Sequence, residues 1–280
     1  MTNTSPTAAR AARRLVCLIL LVGAGCGLVR PNAVTRLVLL APFEGRYQAL
    51  GYDAYYAVQL ALSQANAAES GIELLAVDDG STLESALERA QAIARDPLVG
   101  AVLALGPWAS STSVQQAIDP IPMLVIGAWG SRPAAPSSFF LTNPQLDGLL
   151  PSGEADSIPV DAQLGDFAAY EPFSTLLLSR SDITALSSGS LPDSNYRQQF
   201  LGLGLYVPEP GLLATLTTDA ARIALAVLRQ PDPLNALAND SYTGLNGAIH
   251  FEDGYWAEAP IHAYQFDTEG QLLAVERVIE

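Results

Sequence analysis

Residues 98–118, Leu-Val-Gly-Ala-Val-Leu-Ala-Leu-Gly-Pro-Trp-Ala-Ser-Ser-Thr-Ser-Val-Gln-Gln-Ala-Ile, decide the fold. Val99 to Leu105 is a continuous apolar run rich in branched side chains, bounded by Pro97 and by Gly106-Pro107. Such a run reads as a strand buried on both faces, as in parallel sheets covered by helices. Past the turn, Ser110, Ser111 and Thr112 precede Val114, Ala117 and Ile118, whose spacing marks one face of a helix. Hydroxyls there can cap the helix, and its free N–H groups can hold an anion such as a carboxylate. In an open α/β sheet this carboxyl end of a strand is where ligands bind. A plain Ser/Thr cap with no ligand fits the stretch equally well.

Working outward, Thr35 to Ala41 reads as a first strand stopped by Pro42, and a loop through Glu44, Tyr47 and Gly51 leads into a helix. That helix is marked by Ala54, Ala57, Val58, Ala61, Leu62 and Ala65 at helical spacing. Ile72 to Val77 is a second strand, and Ser81-Thr-Leu-Glu84 a capping box opening the next helix. Met123–Ile126 and Ser138–Leu141 supply further strands. Alternating strands and helices imply parallel units with right-handed crossovers. The expected fold class is therefore α/β: a mostly parallel sheet of about five or six strands, flanked by helices on both faces.

From Asn143 the periodicity fades. Ser174 to Ser179 looks like a strand, Ser181 to Ser194 like a loop, and Tyr196 to Leu201 like a short helix. A longer helix is expected over Leu213 to Arg229. The end, through Gly247–Phe251, Ile261–Phe266 and Leu272–Ile279, is hairpin-like.

Composition bounds the function. Of 280 residues, 49% are hydrophobic and 15% charged, so the core is sizeable and global disorder is excluded. All 14 basic residues are arginine, and against 29 acids they leave a net charge of −15, which argues against nucleic acid and weakly against direct adhesion to anionic lipid. At the N-terminus, Arg10, Arg13 and Arg14 precede Leu15–Val22 and the small residues Gly23-Ala24-Gly25 before Cys26. That is a signal-peptide pattern, too short to span a membrane. Small residues leading into a cysteine resemble the lipobox of bacterial lipoproteins, although Gly23 stands where Leu is usual. The resemblance implies a signal over residues 1–25, lipidation of Cys26, a tether over 26–34, and a chain anchored to the outer face of a bacterial membrane. A plain secretory signal with an unmodified Cys26 is the alternative. Cys17 departs with the signal in either case, leaving one cysteine and no intrachain disulfide.

Several short motifs stack in order. They are Tyr47 to Gly51, Asp78-Asp79, Gly106-Pro107 with Ser110, Ile126-Gly-Ala-Trp-Gly-Ser-Arg-Pro133, Phe140-Leu-Thr-Asn-Pro144, Thr218-Asp219-Ala220, and Asn246-Gly-Ala-Ile-His-Phe251 with Asp253-Gly254. Together they resemble the type I periplasmic solute-binding proteins of the branched-chain amino acid (Leu/Ile/Val-binding) family. The resemblance implies an ABC-transporter substrate-binding role, a small amino acid or amide as ligand, and an ABC permease or other envelope protein as partner. It places the ligand's head group on Ser110, with Ser111 and Thr112, and on Gly130 and Ser131, with Tyr47 at the pocket wall. Trp108 and Trp129, each in a turn just past a strand, are candidates for the same crevice; packing on their own domain is the competing expectation.

The departure from that family is the stretch Gln145 to Phe173, shorter than the roughly 50 residues a lobe with its own core needs. The main lobe is thus expected over 35–144 and 174–280, with 145–173 as the remnant of a second lobe. The family's second-lobe acid, which pairs with the ligand's ammonium, has no matching position; Asp156, Asp161, Asp166 and Glu171 could substitute for it, but read better as solvated loop acids. No catalytic set, metal site or cofactor is expected. His250 and His262, in apparent neighbouring strands, lack a carboxylate or thiol cluster. The second functional reading is an envelope scaffold or sensor module that binds another protein through its single lobe.

Overall fold

The computed structural model describes residues 34–149, 159, 162–169, 180, 182–267 and 272–275. Five strands carry the parallel core: β1 (Thr35–Ala41), β2 (Ile72–Asp78), β3 (Val99–Leu105), β4 (Met123–Ile126) and β5 (Ser138–Leu141). Leu39 pairs with Ala76 on one side and Leu103 on the other, Leu103 pairs with Leu124, and Leu124 with Phe139, so one apolar row crosses the sheet. Leu37 to Ala41 and Val102 to Leu105 are fully buried, as continuous apolar runs inside a doubly covered sheet must be. The edge strand β2 keeps Glu73, Leu75 and Ala76 exposed.

The spatial order of these strands is β5-β4-β3-β1-β2. The chain leaves β1 in one direction to β2 and then runs back past it to β3 and on to β4, so right-handed crossovers put the helix after β1 on one face and the helices after β2 and β3 on the other. Helix α1 (Gln48–Gln64) packs with α5 (Ala214–Val227), and α2 (Leu83–Arg95) packs with α3 (Thr112–Ile118). Between them in sequence stand α4 (Ser194–Leu201), capped by Asp193, and after α5 comes α6 (Pro233–Asn239), capped by Asp232. The capping box on α2 is displaced by one residue from its expected place. Thr82 is the cap and accepts the Ser85 N–H at 3.1 Å, while Ser81 takes a left-handed φ of 52°.

Among the described residues the main sheet has seven strands rather than five or six. The additional two are β10 (Phe251–Glu252) and β11 (Tyr255–Trp256), a hairpin in which Tyr255 pairs parallel with Phe140 of β5. A separate hairpin, β8 (Tyr242–Gly244) with β9 (Gly247–Ile249), precedes it. Its turn is held by buried Asp219 of α5, whose carboxylate accepts the N–H groups of Leu245 at 2.7 Å and Asn246 at 3.0 Å and the Asn246 amide at 2.8 Å.

A second sheet of four strands runs β13 (Leu272–Val275), β12 (His262–Phe266), β7 (Thr184–Ser187), β6 (Gln163–Leu164). It draws strands from residues 163–187 and from residues 262–275 alike. Strand β7 corrects the loop expected over Ser181 to Ser194. The strand expected at 174–179 lies outside the described residues, as do the signal, Cys26, Asp156, Asp161 and Glu171. Among the described residues no helix is long and apolar enough to cross a membrane.

Candidate functional site

The carboxyl ends of β1 to β5 open on one edge of the sheet. Asp78, at the end of β2, organises the first loop there: Oδ1 accepts the N–H groups of Phe43 at 2.6 Å and Glu44 at 3.0 Å. That loop leads through the turn Gly45–Tyr47, where Tyr47 lies half-buried against the core. Asp79 is fully buried; its Oδ1 accepts the Ser81 N–H at 2.8 Å, and burial pushes its carboxyl up to about 6.

Past β3, Gly106 turns the chain at φ 100°, a conformation open to glycine, and its carbonyl accepts the Ser110 N–H at 3.1 Å. Ser110 is fully buried, Ser111 half-buried and Thr112 exposed. The expected hydroxyl cap is absent: Ser111 is the N-cap residue, and its side chain makes no capping bond, lying instead 3.4 Å from the Ser113 hydroxyl.

Past β4 come Gly130, exposed, and Ser131, half-buried with a buried hydroxyl. The fully buried amide of Gln115 binds both loops together. It donates to the carbonyls of Ser110 at 2.8 Å and Arg132 at 3.0 Å, and its oxygen accepts the Ala134 N–H at 2.8 Å. Sequence reasoning missed Gln115. The signal was a lone amide beside Val114 and Ile118, inside the apolar stripe of α3, where a polar side chain must find partners.

Among the described residues, five buried side-chain oxygens in the loops past these strands have no hydrogen-bond partner: Asp79 Oδ2 after β2, Ser110 Oγ after β3, Ser131 Oγ after β4, and Thr142 Oγ1 and Asp147 Oδ1 after β5. Buried polar atoms are normally satisfied, which sets these oxygens apart from the other buried side chains of the edge.

The two tryptophans do not line this edge together. Trp108 is half-buried, whereas Trp129 is 3% exposed, packed edge-on to Phe167 at 5.3 Å with its indole N–H on the Ile126 carbonyl at 2.6 Å. Asp166 overturns its reading as a solvated loop acid. It is fully buried, accepts the Ala128 N–H at 2.7 Å and the Ser187 hydroxyl at 2.5 Å, and burial raises its carboxyl to about 6. Gly127, at φ 83°, admits it: a Cβ there would stand 3.1 Å from the Asp166 carboxyl. The turn Asp166–Ala169 is thereby fastened onto the loop after β4.

The histidines are not neighbours. His250 lies between β9 and β10, 3.6 Å from Glu252, and His262 opens β12 in the other sheet. Among the described residues no group of three or more His, Cys, Asp or Glu could hold a metal ion.

The parallel order, the crossovers and the carboxyl-edge loops define the type I periplasmic-binding-protein fold. No family model matches the chain, and no curated protein matches it. Solved structures do. An extracellular ligand binding receptor from Desulfohalobium retbaense superposes at a TM-score of 0.65 with 16% identity, over 86% of this chain and 59% of that one. This protein thus spans 59% of that receptor's length. The branched-chain amino acid transporter substrate binding protein from Streptococcus pneumoniae, in complex with isoleucine, superposes at 0.63 with 12% identity, over 86% of this chain and 99% of that one. A solute binding protein of an ABC transporter from R. palustris, in complex with benzoate, superposes at 0.61 with 14% identity, over 86% and 95%. At these identities the likeness is one of fold.

Proposed function

We propose that this protein is an exported, non-catalytic solute-binding-like lipoprotein, held at the outer face of a bacterial membrane by acyl chains on Cys26. Its ligand is a small carboxylate-bearing solute, an amino acid or amide, taken at the carboxyl edge of the main sheet. One observation carries the reading: the hydroxyls of Ser110 and Ser131 are buried without a partner on loops that Gln115 binds together. An unsatisfied buried hydroxyl costs about 1–3 kcal/mol, and a carboxylate accepting from both would offset that cost. The solved neighbours with isoleucine and with benzoate are consistent with a ligand of this size and charge. The reduced second lobe leaves much of such a ligand wet, so affinity is weak relative to a two-lobed clamp.

A thermal-shift screen over amino acids, their amides and benzoate tests the reading. At least one ligand should raise the melting temperature in proportion to ln(1 + [L]/Kd), and Ser110→Ala/Ser131→Ala should abolish that response. Flat curves with every ligand, or a response that survives the double substitution, would overturn it. Flat curves accompanied by concentration-dependent assembly would turn the reading toward an envelope scaffold.

A further inference from the structure

A cavity of about 1050 Å³ opens beside the first two turns of α1, where Gln48 on its wall directly follows Tyr47; Ser110, Ser111, Thr112, Gly130 and Ser131 do not line it. Its walls come from α1, from the turn Asp166–Ala169, from β7 and the segment after it, from Arg197 of α4, from the segment between α4 and α5, and from β13. Three tyrosines, Tyr52, Tyr56 and Tyr206, line it, and Asp53 stands among them.

Asp53 is the polar group whose state the cavity leaves open. It is only 8% exposed, and Oδ1 accepts the Gly211 N–H at 2.9 Å while Oδ2 has no hydrogen bond. A buried carboxyl with one free oxygen either holds a proton or meets a cation. Without a partner it takes the first course, and burial pushes its pKa up to about 7. The nearest fixed cation on the wall is already committed: the Arg197 guanidinium binds Glu209 through two parallel bonds of 2.6 and 2.8 Å. An anionic ligand would therefore meet Asp53 and Glu209 with no arginine free to receive it. A cation meets a carboxyl and a wall that carries three tyrosines, in a chain of net charge −15 that draws cations toward it.

We infer that this cavity is a second binding site, for a small organic amine whose ammonium group docks on Asp53 Oδ2 and whose apolar body lies among Tyr52, Tyr56 and Tyr206. The site is independent of Ser110 and Ser131.

The test is isothermal titration of the full chain with phenethylamine, its neutral isostere 2-phenylethanol, and phenylacetate. Phenethylamine should bind about tenfold or more tightly than either of the others, the worth of one charge-assisted contact. Asp53→Asn keeps an oxygen for the Gly211 N–H, so it should melt near the wild type while losing the preference for the amine. Ser110→Ala/Ser131→Ala should leave amine binding unchanged, which separates this site from the carboxyl-edge one. Equal affinities for the three probes in the wild-type protein, no saturable heat with phenethylamine at millimolar concentration, or an undiminished preference in Asp53→Asn would each overturn the inference.

Discussion

Asp166 and Ala128 meet at 2.7 Å, carboxylate oxygen to backbone N–H, although 38 residues separate them in the chain. The same carboxylate takes the Ser187 hydroxyl at 2.5 Å, so one side chain joins the end of β4, the turn after β6 and the end of β7. Removing it would leave a buried N–H and a buried hydroxyl without an acceptor.

Asp166→Ala should therefore cost about 2–4 kcal/mol, read from urea unfolding. Asp166→Asn should cost far less, because the amide oxygen can still accept from Ala128 while its nitrogen donates to Ser187. Equal stabilities for Ala and Asn would show that the two bonds contribute nothing net.

What the sequence could and could not disclose follows from where each constraint resides. Strands β1 and β3 were legible because burial on both faces imposes an unbroken apolar run, which survives in Leu37–Ala41 and Val102–Leu105 without reference to any partner. Strand β7 was not, because Thr-Ala-Leu-Ser is short and set in a serine-rich stretch; it becomes a strand by pairing with β12, some 75 residues on. The burial of Asp166 had no local signal at all, since its partners are a backbone N–H and a serine from two other segments. Ser110 and Ser131 were visible as hydroxyls past strands. Their shared support was not, since the amide that links them lies on α3.

Three buried aspartates give stability a defined pH dependence. Burial raises Asp53 to about 7, and Asp79 and Asp166 to about 6, from an ordinary 3.8. Between those values the folded chain holds protons that the unfolded chain has released, so stability falls as pH rises. Burial raises Asp147 and Asp219 as well, in the same direction. Asp96, held down by the Leu98 N–H and by Arg36, and Glu209, held down by Arg197, shift the other way, with effects confined to pH below their ordinary values. His262, pushed down by burial, opposes the decline only just below its ordinary 6.5. Urea midpoints should therefore peak near pH 4–5 and decline toward neutrality. Asp53→Asn should flatten the last part of that decline, between about pH 6 and 7. A midpoint that climbs from pH 5 to 7.5 would contradict the burial of these carboxyls.

Gly51 and Gly148 should respond oppositely to the same substitution. In α1, a Cβ on Gly51 would land on the Pro42 carbonyl oxygen, a backbone atom that cannot move without shifting the end of β1. Gly51→Ala should cost about 3 kcal/mol or more, in the range of severe overpacking. At Gly148 nothing lies within 4 Å of the added carbon and the residue has no left-handed φ. Gly148→Ala should be neutral or stabilise by up to about 1 kcal/mol, through the reduced freedom of the unfolded chain. Thermal unfolding of the two variants side by side decides the point, and similar melting temperatures would refute the close approach of α1 to Pro42.

The proposed anchor on Cys26 makes the most direct prediction about localisation. A single acyl chain holds a protein only marginally at a membrane, whereas two or more hold it stably. Among the described residues no helix is long and apolar enough to cross a membrane, and the full chain's net charge of −15 gives it no attraction to anionic lipid. Expressed in a bacterial host and fed a palmitate analogue, the wild-type protein should take up label and sediment with membranes. Cys26→Ala should lose the label and remain in the supernatant. Because Cys26 precedes the first strand by several residues, the substitution should leave the melting temperature of the folded part unchanged. Equal labelling of the two proteins would remove the anchor from the proposal and leave an ordinary secretory signal in its place.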